Sequence, residues 1–80
     1  MTKNKTDMRI IKTKKKLSDA LIQLLEERNY DDIKISDLCL KAGVSRATFY
    51  NNFNTIDDVM NYYFRLTEEQ IKSIFLSRLK

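Results

Sequence analysis

Residues 45–52 hold a guanidinium, two side-chain amides and several hydroxyls within one short stretch. Arg46 can donate two hydrogen bonds to guanine, and Asn51 or Asn52 can pair in a similar way with adenine. Ala47 is small enough to permit close approach and can contact a thymine methyl group. These residue types suit the base edges of a nucleic acid.

Two further hydroxyls in this stretch, those of Thr48 and Tyr50, suit phosphate oxygens. Contacts to phosphates fix the register of a complex without specifying sequence.

The charge distribution along the chain points to the same kind of partner. Residues 1–16 carry seven Lys and Arg and one acid, a net charge of +6, whereas the rest of the chain carries −2. Unless it is merely a solvated tail, such a basic arm indicates a polyanionic partner, either nucleic acid or a membrane surface.

Catalytic and metal chemistry has little support in the composition. The chain has no histidine and one cysteine, so it lacks the ligands of a structural zinc site and the usual nucleophile–histidine pairs. Adjacent acids such as Asp31 and Asp32 do not face each other on a helix. We therefore expect no enzyme activity, no metal and no cofactor.

The 80 residues suffice for one small domain, and a hydrophobic content of 42% suits a globular chain. No apolar run approaches the roughly 18 residues that span a bilayer, and lysines interrupt the N-terminal segment, unlike a signal peptide. The single Cys39 excludes an internal disulfide and is expected to be a small core residue. These features predict a cytoplasmic protein.

Apolar spacing and the absence of proline predict an all-α chain. An apolar stripe that includes Leu17 predicts a first helix over about residues 8–28. A turn rich in Asn and Asp at 29–32 leads into a short second helix over about 36–41, capped by Ser36 or a neighbour.

The only glycine, Gly43, is expected to end the second helix in the left-handed conformation that glycine adopts most easily. Ser45 is a good N-cap for a third helix over about 46–52, with Phe49 and Phe53 facing the core. Two short helices joined by a glycine turn form a helix-turn-helix, whose second helix is suited to a DNA major groove.

A fourth helix is expected to begin at Thr55, with Asp58 three residues later in an arrangement like a capping box. Its apolar stripe weakens at residues 66–70, which leaves open a break of the helix into two at this point. The stripe continues towards the C-terminus through Ile71, Ile74, Phe75 and Leu79.

The chain resembles the TetR-type bacterial transcriptional regulators over residues 17–59, most strongly in AGVSRATFYNNF (42–53), which looks like that family's turn and recognition helix. The resemblance implies a basic arm and start of the first helix (1–16), then a homeodomain-like three-helix DNA-binding domain (8–54). Connecting helices (55–80) would follow. It also implies sequence-specific binding to double-stranded DNA at a palindromic operator, for transcriptional regulation, with repression the commoner outcome.

The same resemblance implies roles for matched residues. Arg46, Ala47 and Asn51 or Asn52 would meet bases. Phosphate contacts would come from Thr48, Tyr50, Ser36, Lys34, Lys12, Lys14 and Lys15. The chain departs from the family pattern at Ile56, where a lysine is usual, at Lys34, which replaces a common threonine, and at Asn29, where glycine is common.

Family members continue into a helical domain that binds an effector and dimerises, for which this chain is too short. Either an excised domain or a naturally short relative fits. We therefore expect no small-molecule effector and only a weak homodimer. An alternative function is a protein-interaction module that pairs with a full-length relative through its last helix. Membrane-surface binding is a third reading, but Met8, Ile10 and Ile11 make a poor apolar face.

Overall fold

The structure, a computed structural model, describes the backbone of residues 2–78 and the side chains of residues 8–72 and 76. Four helices follow one another: α1 (Thr2–Leu25), α2 (Ile35–Ala42), α3 (Arg46–Asn52) and α4 (Ile56–Arg78). A short 3-10 turn, Tyr30–Asp32, lies between α1 and α2. No strand occurs within residues 2–78, so the predicted all-α fold class is confirmed.

The core lies where α1 crosses the other helices. α1 packs against α2 and α4 and also reaches α3. Each large apolar side chain that becomes buried there contributes about 1.5–3 kcal/mol. The buried residues are Leu17, Ala20, Leu21, Leu24, Ile33, Leu38, Cys39, Phe49, Phe53 and Val59. The predicted core positions of Cys39, Phe49 and Phe53 are thus confirmed.

The first helix differs from its prediction at both ends. It begins at Thr2 rather than near residue 8, because neither glycine nor proline interrupts this segment and lysine is a good helix former. It ends at Leu25 rather than Arg28, whose amide still donates to the Leu24 carbonyl at 3.0 Å as the chain turns. The basic arm is therefore continuous with α1.

The second helix is one residue longer at each end than predicted. Its N-cap is Lys34. The Lys34 backbone N–H donates to the Asp37 carboxylate at 3.0 Å, so a carboxylate one turn into the helix occupies the cap and Ser36 does not. The third helix has the predicted bounds, 46–52.

The fourth helix begins at Ile56, one residue after the predicted start, and the predicted pairing of Thr55 with Asp58 is present. The Asp58 amide donates to the Thr55 hydroxyl at 3.2 Å, and the Thr55 amide donates to the Asp58 carboxylate at 3.1 Å. The expected break at 66–70 is wrong, because this segment contains no glycine or proline and α4 is unbroken to Arg78.

The weakened stripe in α4 reflects exposure rather than a change of backbone. Beyond this point Ile71 is 61% exposed, so the helix has already left the core there. The predicted roles of Ile74, Phe75 and Leu79 lie outside the described side chains.

Candidate nucleic-acid interface

The turn between α2 and α3 depends on Gly43, which has φ +74° and caps α2. Its amide donates to the Cys39 carbonyl at 2.9 Å, and the Val44 amide donates to the same carbonyl at 3.0 Å. A Cβ added at Gly43 would meet no atom within 4 Å. The requirement for glycine is therefore one of backbone conformation and not of space.

The start of α3 is held by Ser45, as predicted. The Ser45 hydroxyl accepts a hydrogen bond from the Thr48 amide at 3.0 Å and lies 3.0 Å from the Thr48 hydroxyl. On the inner side of the helix, Phe49 is completely buried. One fixed end and one buried side determine which face α3 presents to solvent.

That outer face carries Arg46, Ala47, Tyr50 and Asn51, all exposed. Residues i, i+1, i+4 and i+5 form two adjacent rows on a helix, so these four side chains make one continuous surface. The Tyr50 ring packs edge-on against the Phe49 ring, with 5.2 Å between centroids. This contact orients the Tyr50 side chain, although 54% of the residue stays exposed. Three of the four predicted base-contacting residues therefore share one face with Tyr50.

The fourth predicted base contact, Asn52, lies elsewhere. It is half-buried, and its side-chain amide nitrogen donates to the Thr48 carbonyl at 2.8 Å. Thr48 is also half-buried, and its hydroxyl lies within hydrogen-bonding distance of Ser45. Both residues already serve the helix itself, so part of their hydrogen-bonding capacity is used internally.

The predicted phosphate contacts on α2 are placed unequally. Lys34 is exposed, whereas Ser36 is half-buried. Asp37, which caps α2, also accepts a hydrogen bond from the Arg28 guanidinium at 3.0 Å. This ion pair ties the turn after α1 to the first turn of α2, and neither residue was singled out by the sequence pattern.

The three predicted phosphate contacts in the basic arm have different surroundings. Lys12 is exposed. Lys14 is half-buried, with its ammonium 5.5 Å from the centroid of the Phe53 ring and 5.6 Å from that of Tyr62. Lys15 pairs with Asp19 at 3.1 Å, one turn away on the exposed side of α1.

Sequence reasoning missed two exposed basic residues as contact candidates, Arg9 and Lys16. With Lys12 they occupy positions i, i+3 and i+7, which share one face of a helix. That spacing was a usable signal, because the predicted first helix, 8–28, already contained all three residues.

Within the described residues, no group of His, Cys, Asp and Glu side chains could hold a metal ion. In the same part of the chain, no helix combines the length and the apolar character needed to cross a membrane.

Comparison with known proteins identifies the family to which this sequence is similar. The family described as bacterial regulatory proteins, tetR family, matches residues 17–63. An uncharacterized HTH-type transcriptional regulator of Bacillus subtilis (strain 168), YwcC, is 35% identical over 72 residues, covering 90% of this chain and 31% of that protein. Another from the same strain, YxbF, is 33% identical over 55 residues, covering 68% of this chain and 14% of its own.

The chain thus spans less than a third of the length of either relative. No solved structure matches it. The matched family segment runs from Leu17, the first buried residue among the described side chains of α1, through the turn and α3 into α4, and so contains the whole helix-turn-helix. The chain belongs to the tetR family of bacterial regulatory proteins.

Proposed function

We propose that this chain binds duplex DNA in a sequence-specific manner and thereby regulates transcription, with α3 in the major groove. The observation that carries the proposal is the exposed face of α3. Arg46, Ala47, Tyr50 and Asn51 lie together on a helix whose start is capped and whose opposite side is buried.

The chemistry of this face agrees with the family relationship. A bidentate guanidinium contact to guanine and an amide contact to adenine each provide about 1–3 kcal/mol of discrimination between base pairs. Arg46 and Asn51 supply those two groups one and a half turns apart. Because Asn52 already donates to a backbone carbonyl, we assign adenine recognition to Asn51 before Asn52.

Phosphate contacts would hold the helix in register. We assign them to the exposed Tyr50 and Lys34, with Thr48 and Ser36 closer to the protein surface. The positive charge of Lys12 would add to them from α1. Such contacts raise affinity for all sequences alike and make it fall as salt concentration rises.

We further propose that the regulation is repression and that the operator is palindromic, read by two copies of the helix-turn-helix. Two-fold related recognition helices need half-sites about one helical turn apart. The sequence selected by the protein tests this proposal. Two half-sites with this spacing would indicate a dimer on the DNA, whereas a single half-site would indicate a monomer.

The test is selection of bound sequences from a random duplex DNA pool, with wild type, Arg46→Ala and Arg65→Ala carried in parallel. Arg65 is an exposed arginine on α4, so its removal costs the same formal charge away from α3. Wild type and Arg65→Ala are expected to enrich the same motif. Arg46→Ala is expected to lose preference at one base pair per half-site.

Absence of any enriched motif with the wild type would overturn the proposal. An identical motif with Arg46→Ala would leave DNA binding intact but remove the assignment of Arg46.

A second candidate function rests on α4, where Phe64 is 56% and Ile71 61% exposed. With Met60 they occupy positions i, i+4 and i+11, along one side of the helix. In this alternative the helix pairs with a longer relative of this chain. Light scattering on a mixture of the two would detect the complex, and Phe64→Ser should abolish it without altering DNA selection.

A further inference from the structure

Lys14 lies where three helices meet. Its ammonium is 5.5 Å from the centroid of the Phe53 ring and 5.6 Å from that of the Tyr62 ring. Phe53 is the C-cap of α3, and Tyr62 is a residue of α4. Such cation–π contacts are attractive because the face of an aromatic ring is negative. One side chain of α1 thus contacts the end of α3 and the first half of α4 together.

The side of α1 that carries Lys14 is the one that faces the core. Lys14 precedes Leu17 by three residues and Leu21 by seven, so the three side chains share one side of the helix. Leu17 and Leu21 are completely buried and Lys14 is half-buried, whereas Lys12 is exposed. Two positions apart on a helix means a separation of about 200° around its axis. The ammonium of Lys14 therefore lies against α3 and α4, on a different side of α1 from Lys12.

The C-terminal end of α3 depends on Phe53 for its position. The helix has seven residues, too few to be stable by itself. At its end, the Phe53 amide donates to the Phe49 carbonyl at 2.8 Å, and the Phe53 side chain is buried. The Tyr62 ring packs edge-on against the Phe53 ring, with 5.9 Å between centroids. Lys14 and Tyr62 therefore hold the end of α3 from two neighbouring helices.

A series of ring contacts connects this junction to the exposed face of α3. The Phe53 ring lies 6.0 Å from the Phe49 ring, and the Phe49 ring lies 5.2 Å from that of Tyr50, measured between centroids. Phe49 is completely buried, and Tyr50 is 54% exposed. Because closely packed interiors transmit strain, a displacement of Phe53 shifts Phe49, and with it Tyr50 and the adjacent Asn51.

We propose that Lys14, Phe53 and Tyr62 form a clamp that positions the C-terminal end of α3 on DNA. Lys14 is the positioning residue of this clamp and acts through α3, without binding phosphate itself. This inference rests on the proposed function and deepens it.

The clamp and the Ser45 cap hold opposite ends of α3. Arg46 directly follows Ser45, whose hydroxyl accepts from an amide within α3 itself. Asn51 lies two residues before Phe53. Loss of the clamp therefore affects base recognition by Asn51 and spares that by Arg46.

The first measurement is competition binding of the full chain to its selected duplex and to single-base variants of that duplex. Lys14→Met removes the charge but keeps a long, flexible side chain beside the rings. Discrimination at the base pair read by Asn51 is expected to fall about 3- to 10-fold, the effect of one cation–π contact. Discrimination at the base pair read by Arg46 is expected to be retained. Lys14→Arg keeps a cation over the rings and should restore the wild-type pattern. Equal relaxation at both base pairs would overturn the proposal.

Salt dependence distinguishes the clamp from a phosphate contact. A charge that neutralises a phosphate contributes about 0.9 to the slope of log K against log salt. The slope for Lys14→Met is expected to equal that of the wild type. A slope reduced by about 0.9 would make Lys14 a phosphate ligand and overturn its positioning role.

A double-mutant cycle tests whether Lys14 and Tyr62 act through one contact. Tyr62→Leu removes the ring from α4, and discrimination at the Asn51 base pair is expected to fall as in Lys14→Met. In the double variant Lys14→Met, Tyr62→Leu, the loss is expected to be no larger than in either single variant. Losses that multiply in the double variant would show that the two residues act separately, and the clamp would be refuted.

A matched control separates positioning from stability. Tyr30→Phe also loosens α4, but at the hydrogen bond from Tyr30 to Asp57, five residues before Tyr62. At a temperature where circular dichroism shows every variant to be folded, Tyr30→Phe is expected to keep wild-type discrimination. Relaxation equal to that of Lys14→Met would attribute the effect to stability and overturn the proposal. Wild-type discrimination in all the Lys14 and Tyr62 variants would also refute the clamp. The proposed function would then still stand, because the motif selected by the wild type tests it separately.

Discussion

The hydroxyl of Tyr30 donates a hydrogen bond to the carboxylate of Asp57. Tyr30 opens the 3-10 turn after α1, and Asp57 lies in the first turn of α4. The contact joins two segments 27 residues apart, on the side of the bundle where α4 begins. Burial of the phenol and its hydrogen bond to Asp57 raise the pKa of Tyr30 to about 12.

Removal of this hydroxyl is expected to loosen the attachment of α4. Tyr30→Phe should lower the free energy of unfolding by about 1 kcal/mol, since one partly exposed hydrogen bond is lost. Urea denaturation of Tyr30→Phe, Asp57→Asn and the double variant would measure the coupling between them. Strictly additive losses would contradict a direct contribution from this bond.

The same contact predicts an alkaline pH dependence. The folded-state pKa of Tyr30 lies above the ordinary value of 10.0, so the bond's contribution is complete below about pH 10 and is lost as pH rises towards about 12. The difference in unfolding free energy between wild type and Tyr30→Phe should therefore shrink over this range. Comparing the two proteins removes the effect of the other tyrosines. A constant difference up to about pH 12 would contradict the raised pKa.

Replacement of Gly43 is expected to be costly for a conformational reason alone. Gly43→Ala should lower the free energy of unfolding by about 1–2 kcal/mol, because φ is +74° and a Cβ is disfavoured there. Gly43→Asn should cost less, since asparagine tolerates this conformation better. Thermal or urea unfolding would measure both losses. Equal losses in the two variants would contradict the conformational explanation and indicate a steric clash instead, although a Cβ at Gly43 would meet no atom within 4 Å.

The two adjacent asparagines of α3 should separate in function. Asn51→Ala is expected to reduce discrimination at one base pair by about 1–3 kcal/mol, because its exposed amide is available to a base edge. Asn52→Ala removes a hydrogen bond to the Thr48 carbonyl and is expected to lower stability while retaining base preference. Competition binding with single-base operator variants would distinguish the two variants. Lost base preference in Asn52→Ala and retained preference in Asn51→Ala would assign the base contact to Asn52 instead.

The thiol of Cys39 should react slowly while the protein is folded. The residue is 5% exposed, and burial raises the pKa of its thiol, which is partly offset by the nearby charge of Arg46. Only the thiolate is nucleophilic. Burial therefore slows the reaction of Cys39 in two ways, because it hinders access of a reagent and lowers the fraction of thiolate. Labelling with a disulfide reagent should accelerate sharply at the urea concentration where the helices unfold. Rapid labelling under native conditions would place Cys39 outside the core.

The helices of this protein were largely predictable because their signals are local. The left-handed conformation at Gly43, the cap at Ser45 and the Thr55–Asp58 pair each depend on residues within one turn, and all three are present as expected. The prediction of α1 was wrong at both ends, since apolar spacing reports which side of a helix is buried and says little about where a solvated helix stops. The expected break in α4 failed for the same reason.

The family relationship was equally accessible, because the residues that carry it form one continuous stretch. The predicted resemblance over residues 17–59 is confirmed by the family match over 17–63. The roles of individual DNA-contacting residues stay predictions.

The sequence by itself determined that the chain is all-α, where its turns lie and which residue types α3 presents, since helix periodicity and capping act over a few residues. Only the tertiary structure decided how the polar groups are partnered. Lys14 lies over Phe53 and Tyr62, and Asn52 bonds back to its own helix while Asn51 faces solvent. Lys12 and Lys14 carry the same charge but differ in surroundings, since Lys12 is exposed. Electrostatic and aromatic contacts depend on distance in space, which the packing of α1 against α3 and α4 sets.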